Sequence, residues 1–273
     1  MKMNQKILSG LILAAAVLVM TVSCDNKAKA PKNYTVTFDL NGGSGKIDKT
    51  VSVKKGDTVE EPAITPKVAN DTYFKFAGWS TTKDGGEYDF STPVNSDITL
   101  YATYKDRYTV GGRGPANGFI IYENPSYDAK SSNSWRYLEA ASEDFTAVVD
   151  GADTALFKWG STGTELDTDT SLGSGLSNTE KMTSLASSIA SEVYKKTWCG
   201  LSDWFIPSRD ELVKMYEVIG KNTETKFTKA YYWSSSSRQG GSAWNLYFSD
   251  SNTTMEHSDT RDSQGRIRLV RVF

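Results

Sequence analysis

The sequence predicts an α+β protein that consists of two modules behind an exported N-terminal segment. In the first module, apolar and polar residues alternate between glycine-containing turns, which is typical of half-buried strands. In the second, strand-like segments accompany two segments in which apolar residues recur every three or four positions, the spacing of a helix. A chain of 273 residues is long enough for two cores. We place the modules at residues 34–106 and 107–273.

The first 23 residues have the layout of a secretory signal. Met1–Lys6 carries two lysines and no acidic residue, and Ile7–Val22 is almost continuously apolar but shorter than a membrane span. Small residues lead into the junction with Cys24. A basic stretch, an apolar stretch and a small-residue cleavage site together predict export and removal of residues 1–23.

The junction Thr21-Val22-Ser23-Cys24 resembles the lipobox of bacterial lipoproteins, although Thr21 stands where that pattern usually has Leu. The resemblance implies that Cys24 is lipidated and becomes the mature N-terminus, with residues 24–33 as a polar tether. Several acyl chains on one residue hold a protein stably at a membrane. We therefore expect attachment to the bacterial cell envelope, at the outer membrane or cell surface. An ordinary signal with an incidental cysteine is the alternative.

Charge and cysteine content exclude several kinds of partner and site. Removal of residues 1–23 takes Lys2 and Lys6 from the 31 basic residues and leaves all 33 acidic ones, so the net charge changes from −2 to −4. The sequence has no basic block, and we expect no nucleic-acid partner. Besides Cys24 only Cys199 remains, which argues against an intramolecular disulfide and a cysteine-rich metal site. We expect Cys199 to be a small buried apolar residue.

Strands and turns alternate along the first module. Residues 34–40 place every second side chain on one face, and Asn41-Gly42-Gly43 supplies a turn that tolerates positive φ. A second strand around 51–53 stops at the turn Lys55-Gly56-Asp57. The last strand covers residues 98–104. Bulk for a core comes from Phe74, Phe76 and Trp79, and we expect Trp79 to pack in the core rather than to contact a ligand.

Four segments of this module carry a resemblance to a known family. They are "YTVTFDLNGG", "VSVKKGDTVEEP", "FKFAGWSTTKDGG" and "DITLYATYK". In this order they closely resemble the Listeria–Bacteroides repeat, the B-repeat of internalin-type surface proteins. The resemblance implies a small β-grasp-like fold over residues 34–106 and a role as a stalk or interaction module on a bacterial surface.

The second module combines short strands with two helices. A helix is predicted from about 178 to 196, because its apolar residues form one face. Ser208 and Glu211 form an S-x-x-E capping box, which predicts a second helix from Ser208 that ends at Gly220. Polar loops separate the predicted strands, which are Phe119–Tyr122, Tyr231–Ser234, Ala243–Phe248 and Ile267–Val272.

The second module also resembles a known family. The segments are "GPANGFIIYE", "WRYLEAA", "DWFIPSRDELVKMY", "YWSSS", "AWNLYF" and the terminal "RIRLVRVF". Together they resemble the Lcl C-terminal type of domain, which is related to the formylglycine-generating-enzyme branch of the C-type lectin fold. The resemblance implies an extracellular binding or adhesion domain over residues 107–273. In some bacteria this branch carries the variable region of diversity-generating retroelements near its C-terminal end.

The serine run Ser234–Ser237 does not predict an enzyme. A serine nucleophile needs a base and an orienting group, yet the chain has a single histidine, His257, and no G-x-S-x-G motif. The formylglycine-generating relatives use cysteine chemistry, whereas this module has Cys199 alone. We therefore predict no catalytic residue and no cofactor, and keep a formylglycine-generating-type enzyme as the least favoured alternative.

The acidic residues do not predict a metal site. Asp167–Ser171 has oxygen donors at alternate positions, but Gly173 and Asn178 do not fit the EF-hand spacing. Four acidic residues near the C-terminus could converge on an ion, but a solvated acidic loop is the simpler explanation: Asp250, Glu256, Asp259 and Asp262.

Binding is the function that remains. The segment from Ser235 to Arg261 combines aromatic and arginine anchors with small polar residues, as protein interfaces do. Strand alternation puts Trp244, Leu246 and Phe248 toward the core and Asn245 and Tyr247 outward. We expect Trp233 and Trp244 to anchor a loop that bears the binding site. The candidate ligand-binding residues are Arg238, Gln239, Asn245, Tyr247, Asp250, His257 and Arg261.

These expectations together describe a lipid-anchored, adhesin-like protein of the bacterial surface. Its C-terminal module would bind a protein or glycan ligand, and the first module would act as a spacer. The alternative is a structural envelope protein without a specific ligand, in which the serine-rich segment is an ordinary surface loop.

Overall fold

The computed structural model describes residues 30–68, 72–132, 134–195, 197–198, 200–225, 227–249 and 255–273. Within them the chain is mostly β, with few helices. Three residues singled out above, Cys24, Cys199 and Asp250, lie outside the described residues.

The first module forms one four-stranded sheet. Its strands are β1 (Asn33–Asp39), β2 (Thr50–Lys54), β3 (Phe74–Ser80) and β4 (Ile98–Asp106). The order across the sheet is β2-β1-β4-β3, with β1 and β4 parallel and the other two pairs antiparallel. Asn41 and Gly42 have φ of 48° and 84°, as the predicted turn requires. Trp79 is fully buried among Val36, Phe38 and Leu100, so its predicted place in the core is confirmed.

In the described part of the second module there are several small sheets, three α-helices and one 3-10 helix, Thr223–Thr225. The helices are α1 (Gly175–Met182), α2 (Ile189–Tyr194) and α3 (Arg209–Ile219). The strands of the module are β5 (Phe119–Glu123), β6 (Tyr137–Ala140), β7 (Ala147–Val149), β8 (Ala152–Thr154), β9 (Phe157–Lys158), β10 (Ala230–Arg238), β11 (Ser242–Phe248), β12 (Met255–Thr260), β13 (Gln264–Gly265) and β14 (Val270–Val272). Strands β10, β11 and β12 form an antiparallel sheet in that order, and a second sheet has the order β14-β6-β5.

The single helix predicted from about 178 to 196 is wrong, because the structure has α1 and α2 with a break between them. The hydroxyl of Thr183 donates to the carbonyl of Glu180, and that of Ser184 donates to the carbonyl of Lys181. Ser187 then adopts a positive φ of 55°, and the Ser188 hydroxyl accepts from the Ala190 amide as the cap of α2. Serine and threonine side chains thus compete with the helical hydrogen bonds and end the first helix early.

Helix α3 confirms the predicted capping box. The Ser208 hydroxyl accepts from the Glu211 amide, and the Glu211 carboxylate accepts from the Ser208 amide at 2.8 Å. Leu212, Met215 and Ile219 form the buried face. The helix ends before Gly220, as predicted.

Apolar clusters cover both faces of the sheet formed by β10 and β11. One cluster includes Trp159, Trp233 and Ala243, and the other includes Tyr232 and Leu246. Trp233 is buried as expected. Coverage on both faces means that alternation along these strands does not separate core residues from surface residues.

Candidate ligand-binding surface

The serine run lies within a strand and not in a loop. Ser234, Ser235 and Ser236 are fully buried in β10. The Ser234 hydroxyl donates to the carbonyl of Trp244 at 2.9 Å, and the Ser236 hydroxyl donates to that of Asp169 at 2.8 Å. The strand register shifts between Trp233 and Ser237, so the Ser234 and Ser236 side chains satisfy backbone groups at an irregular part of the sheet, whereas the Ser235 hydroxyl has no partner among the described residues. The prediction that Ser234–Ser237 belong to a binding loop is therefore wrong, because these residues lie in β10.

The turn that follows β10 is exposed at Gln239 and Gly240 and buried at Gly241. Gln239, Gly240 and Gly241 connect β10 to β11, with φ of 77° and 71° at the two glycines. A Cβ atom at Gly241 would lie 3.0 Å from the carbonyl oxygen of Thr162, so the second glycine also permits a close approach. The Glu165 carboxylate accepts from the Gly241 amide at 3.3 Å. Gln239 is exposed here, as predicted.

Asn245 was expected to face outward, and the structure contradicts this. Its side chain is 1% exposed, because Asn245 lies directly opposite Trp233 on a face that the core covers. Its amide nitrogen donates to the Asp259 carboxylate at 2.8 Å. Asn245 therefore orients Asp259 from below the surface and does not present itself to a ligand.

Arg261 is also buried, although it was expected to contact a ligand. Its side chain is 0% exposed, and its guanidinium lies 4.8 Å from the centre of the Trp159 ring. It donates to the carbonyls of Ser242 and Thr164, which ties the start of β11 to the loop before α1. Burial lowers the pKa of Arg261. The residue is a structural cation and not a ligand contact.

Trp244 was expected in the core but is only half-buried. Two guanidinium groups lie near its ring, that of Arg238 at 5.0 Å and that of Arg209 at 5.3 Å. Arg238 also donates to the Ser258 hydroxyl. We call Arg209, Arg238, Trp244 and Ser258 the Trp244 surface. It lies where the core under Leu246 and Phe248 ends, so the same strand face that is covered farther along is open here.

The two arginines of the Trp244 surface differ in their partners. Arg209 pairs with Asp210 at 2.7 Å and lies 3.9 Å from Glu256. Arg238, in contrast, has no carboxylate partner among the described residues. Its guanidinium is exposed and held by the Trp244 ring, so it keeps donors available for a ligand oxygen.

A second cluster, half-buried except for the exposed His257, lies on the opposite face of the same sheet. The Tyr231 ring is 4.9 Å from the Tyr247 ring and 5.4 Å from the His257 ring. His257 is 47% exposed, with Nδ1 at 3.5 Å from the Asp259 carboxylate. We call Tyr231, Tyr247, His257 and Asp259 the Tyr247 surface.

The predicted ligand-binding set is thus divided between two faces. Cross-strand pairing puts Trp244 beside Ser258 and Asn245 beside His257, and alternate residues of a strand point to opposite faces. Arg238 therefore lies on one face, while Tyr247 and His257 lie on the other. Gln239 is in the connecting turn.

Sequence reasoning missed Arg209, Tyr231 and Ser258. Arg209 follows the capping Ser208, and no sequence pattern links it to Trp244, 35 positions away. Ser258 belongs to β12, which was taken for a polar loop because it lacks apolar alternation. Residues 256–260 of β12 are exposed or half-buried, so neither face of the strand requires apolar residues.

Comparison with known proteins concerns the first module. Residues 34–103 match the Listeria-Bacteroides repeat domain. This repeat is typical of bacterial surface proteins, and the match agrees with the resemblance drawn from the four segments. No curated protein matches the chain.

Two further properties concern metals and membranes. No group of three or more His, Cys, Asp or Glu side chains within the described residues is arranged to hold a metal ion. The longest helix there is α3, with 11 residues, and none of the helices described combines the length and the apolar character that a membrane span needs.

Proposed function

We propose that this chain is a lipid-anchored protein of the bacterial surface whose C-terminal module, residues 107–273, binds a protein or glycan ligand. The module is taken as a C-type lectin-like domain on the resemblance of its sequence segments, and it is assigned no catalytic role. The repeat domain would act as its spacer. The observation that carries the proposal is the Trp244 surface, where a half-buried tryptophan ring lies against an exposed arginine that has no carboxylate partner among the described residues.

The Trp244 surface is preferred over the Tyr247 surface for its composition and support. Tryptophan and arginine are the residues most enriched at interface positions that dominate binding energy. Trp244 and Arg238 are held on a strand and at a strand end, so little conformational entropy is lost when a ligand binds. On the other face, the Asp259 carboxylate is already engaged by Asn245.

Alanine substitutions on the two faces test the ligand site. Arg238→Ala should change the free energy of unfolding by no more than about 0.5 kcal/mol, as at other surface positions, yet weaken ligand binding. Tyr247→Ala on the opposite face is the matched control and should bind normally. The measurements are thermal melts and titrations against immobilised glycans and host-matrix proteins. Normal binding by Arg238→Ala together with loss in Tyr247→Ala would move the site to the other face.

The same titrations address a purely structural role in the envelope. A properly folded chain that binds no glycan or matrix protein would favour that alternative. Variation confined to the exposed positions of the two surfaces among close relatives would instead support diversified ligand binding.

Lipid attachment is tested at Cys24. Cys24→Ala should release the protein into aqueous fractions or leave residues 1–23 uncleaved, because the thiol that would carry the acyl chain is absent. Fatty-acid labelling and detergent partitioning measure this, with Cys199→Ala as the control that keeps the anchor. Unchanged labelling in Cys24→Ala would refute the anchor.

A further inference from the structure

The chain passes from the repeat domain to the C-terminal module without a spacer. Strand β4 ends at Asp106, and the next amide, that of Arg107, donates to the carbonyl of Tyr73 at 2.7 Å. The Tyr108 ring then lies 5.8 Å from Tyr137 and 5.2 Å from Phe273, both in the C-terminal module. Flexible linkers are typically long and rich in glycine, serine or other small polar residues. This connection is short and packed.

Arg136 joins the two modules electrostatically. Its side chain is only 11% exposed, and one terminal nitrogen lies 2.6 Å from Asp106 at the end of β4 and 2.9 Å from Glu123 at the end of β5. Its guanidinium also lies 4.8 Å from the ring of Phe74 in the repeat domain and 5.1 Å from that of Tyr137. One cation therefore contacts a carboxylate and a ring from each module, in a place where screening by water is reduced.

Tyr73 makes the aromatic part of the same contact. It projects from the repeat domain just before β3, stacks on Phe273 at 6.1 Å with an angle of 21°, and meets Tyr127 edge-on at 5.3 Å. Burial raises the pKa of Tyr73. Phe273 is itself held in place, because its carbonyl accepts from the amides of Arg136 and Tyr137 and its amide donates to the carbonyl of Tyr137.

We propose that this junction locks the two modules into one rigid body, so that the repeat domain is an orienting arm for the C-terminal module and not a flexible spacer. Modules that share a small polar interface are expected to move relative to each other. Here the connecting residues, the ion pairs of Arg136 and the stacking of Tyr73 on Phe273 all restrain the boundary between the two modules. The C-terminal module therefore has a fixed orientation relative to the repeat domain.

Nuclear magnetic relaxation measures whether the two modules tumble together. In the chain of residues 24–273 with Cys24→Ser, ¹⁵N relaxation reports the rotational correlation time of each module separately. We expect the same correlation time for residues 34–106 and 107–273. In the double variant Tyr73→Ala and Arg136→Ala, the smaller repeat domain should tumble faster than the C-terminal module.

Arg113→Ala is the matched control. Arg113 also pairs with a carboxylate, that of Glu224, and lies over an aromatic ring, that of Phe119, but all three residues belong to one module. This variant should keep a single correlation time. Two different times in the unaltered chain, or one shared time in the double variant, would overturn the proposal. If the double variant does not fold, the correlation times of the unaltered chain and of the milder Asp106→Asn, which removes only the ionic contact, still decide whether the two modules tumble as one body.

Discussion

The two modules of this protein are stabilised by different kinds of interior. In the repeat domain, the buried residues are apolar except for Ser80 among the residues described. The C-terminal module instead buries several ionisable side chains, namely Glu139, Glu211, Arg261, Arg268 and Arg271. A regular sheet pairs its own backbone groups, so apolar packing is enough to stabilise its core. A module with long irregular segments needs buried polar side chains to pair with the backbone groups of those segments.

The buried carboxylates of the C-terminal module hold loops that have no strand partner. Glu139 accepts from the amides of Ala116 and Gly118 at 3.0 and 2.8 Å and from Arg271 at 3.2 Å. Glu211 accepts from the Gly173 amide at 2.8 Å in addition to its capping bond. Buried amides must be paired, and in these loops a carboxylate takes the place of a neighbouring strand.

The largest expected effect that sharpens this comparison is at Glu139. Glu139→Ala leaves two buried amides and part of a buried arginine without a partner. Loss of one member of a buried ion pair costs about 3–5 kcal/mol in the free energy of unfolding. Chemical denaturation of the full chain measures it.

Lys214→Ala is the control for Glu139→Ala. It removes an exposed ion pair with Glu217 from the same module, and such pairs contribute about 1 kcal/mol at most. Equal effects of the two substitutions would show that the buried network contributes nothing beyond surface charge.

The same substitution at one buried tryptophan of each module compares the two interiors. The Trp159 indole donates to the carbonyl of Ser234 at 2.6 Å, whereas that of Trp79 has no partner among the described residues. Trp159→Phe should therefore destabilise more than Trp79→Phe, by about 1 kcal/mol, the net value of a typical hydrogen bond. Denaturation of both variants measures the difference, and a larger loss at Trp79 would contradict the contrast between the interiors.

A pH dependence also distinguishes the modules. Burial raises the pKa of Glu211 from 4.5 to about 7. A carboxyl whose folded pKa is raised stabilises the fold fully below its unfolded pKa, and this contribution is lost as the pH rises from about 4.5 to 7. In the repeat domain, hydrogen bonds from Ser91 lower the pKa of Asp89, which acts in the opposite direction.

Glu211→Gln tests that assignment. Between pH 5 and 8 the free energy of unfolding should fall less in Glu211→Gln than in the unaltered chain. In Asp89→Asn it should fall by the same amount as in the unaltered chain. Calorimetry at the two pH values compares them. An unchanged pH profile in Glu211→Gln would mean that other groups, such as Glu139, carry the dependence.

Sequence reasoning succeeded where one local pattern sufficed. Alternation predicted β1, β2 and β4 of the repeat domain, and the S-x-x-E spacing predicted the start of α3. Trp79 was expected in the core as apolar bulk, but β3, the strand that carries it, was not predicted. It failed at Asn245, because β11 is covered on both of its faces, and at the helix predicted from 178 to 196, because Thr183 and Ser184 bond to the preceding turn. The candidate site was predicted only in part, since the chosen residues come from two faces and from the interior.

The sequence by itself determined the turns, the cap and the apolar bulk of this protein, because each depends on residues within a few positions of one another. Only the tertiary structure decided that Trp244 is half-buried, that Arg261 is fully buried, and that Arg209 lies against Trp244. Burial depends on what other segments lay over a residue. Those segments are distant in the chain, as the loop at Thr164 is from Arg261. A local sequence pattern therefore does not predict which residues they cover.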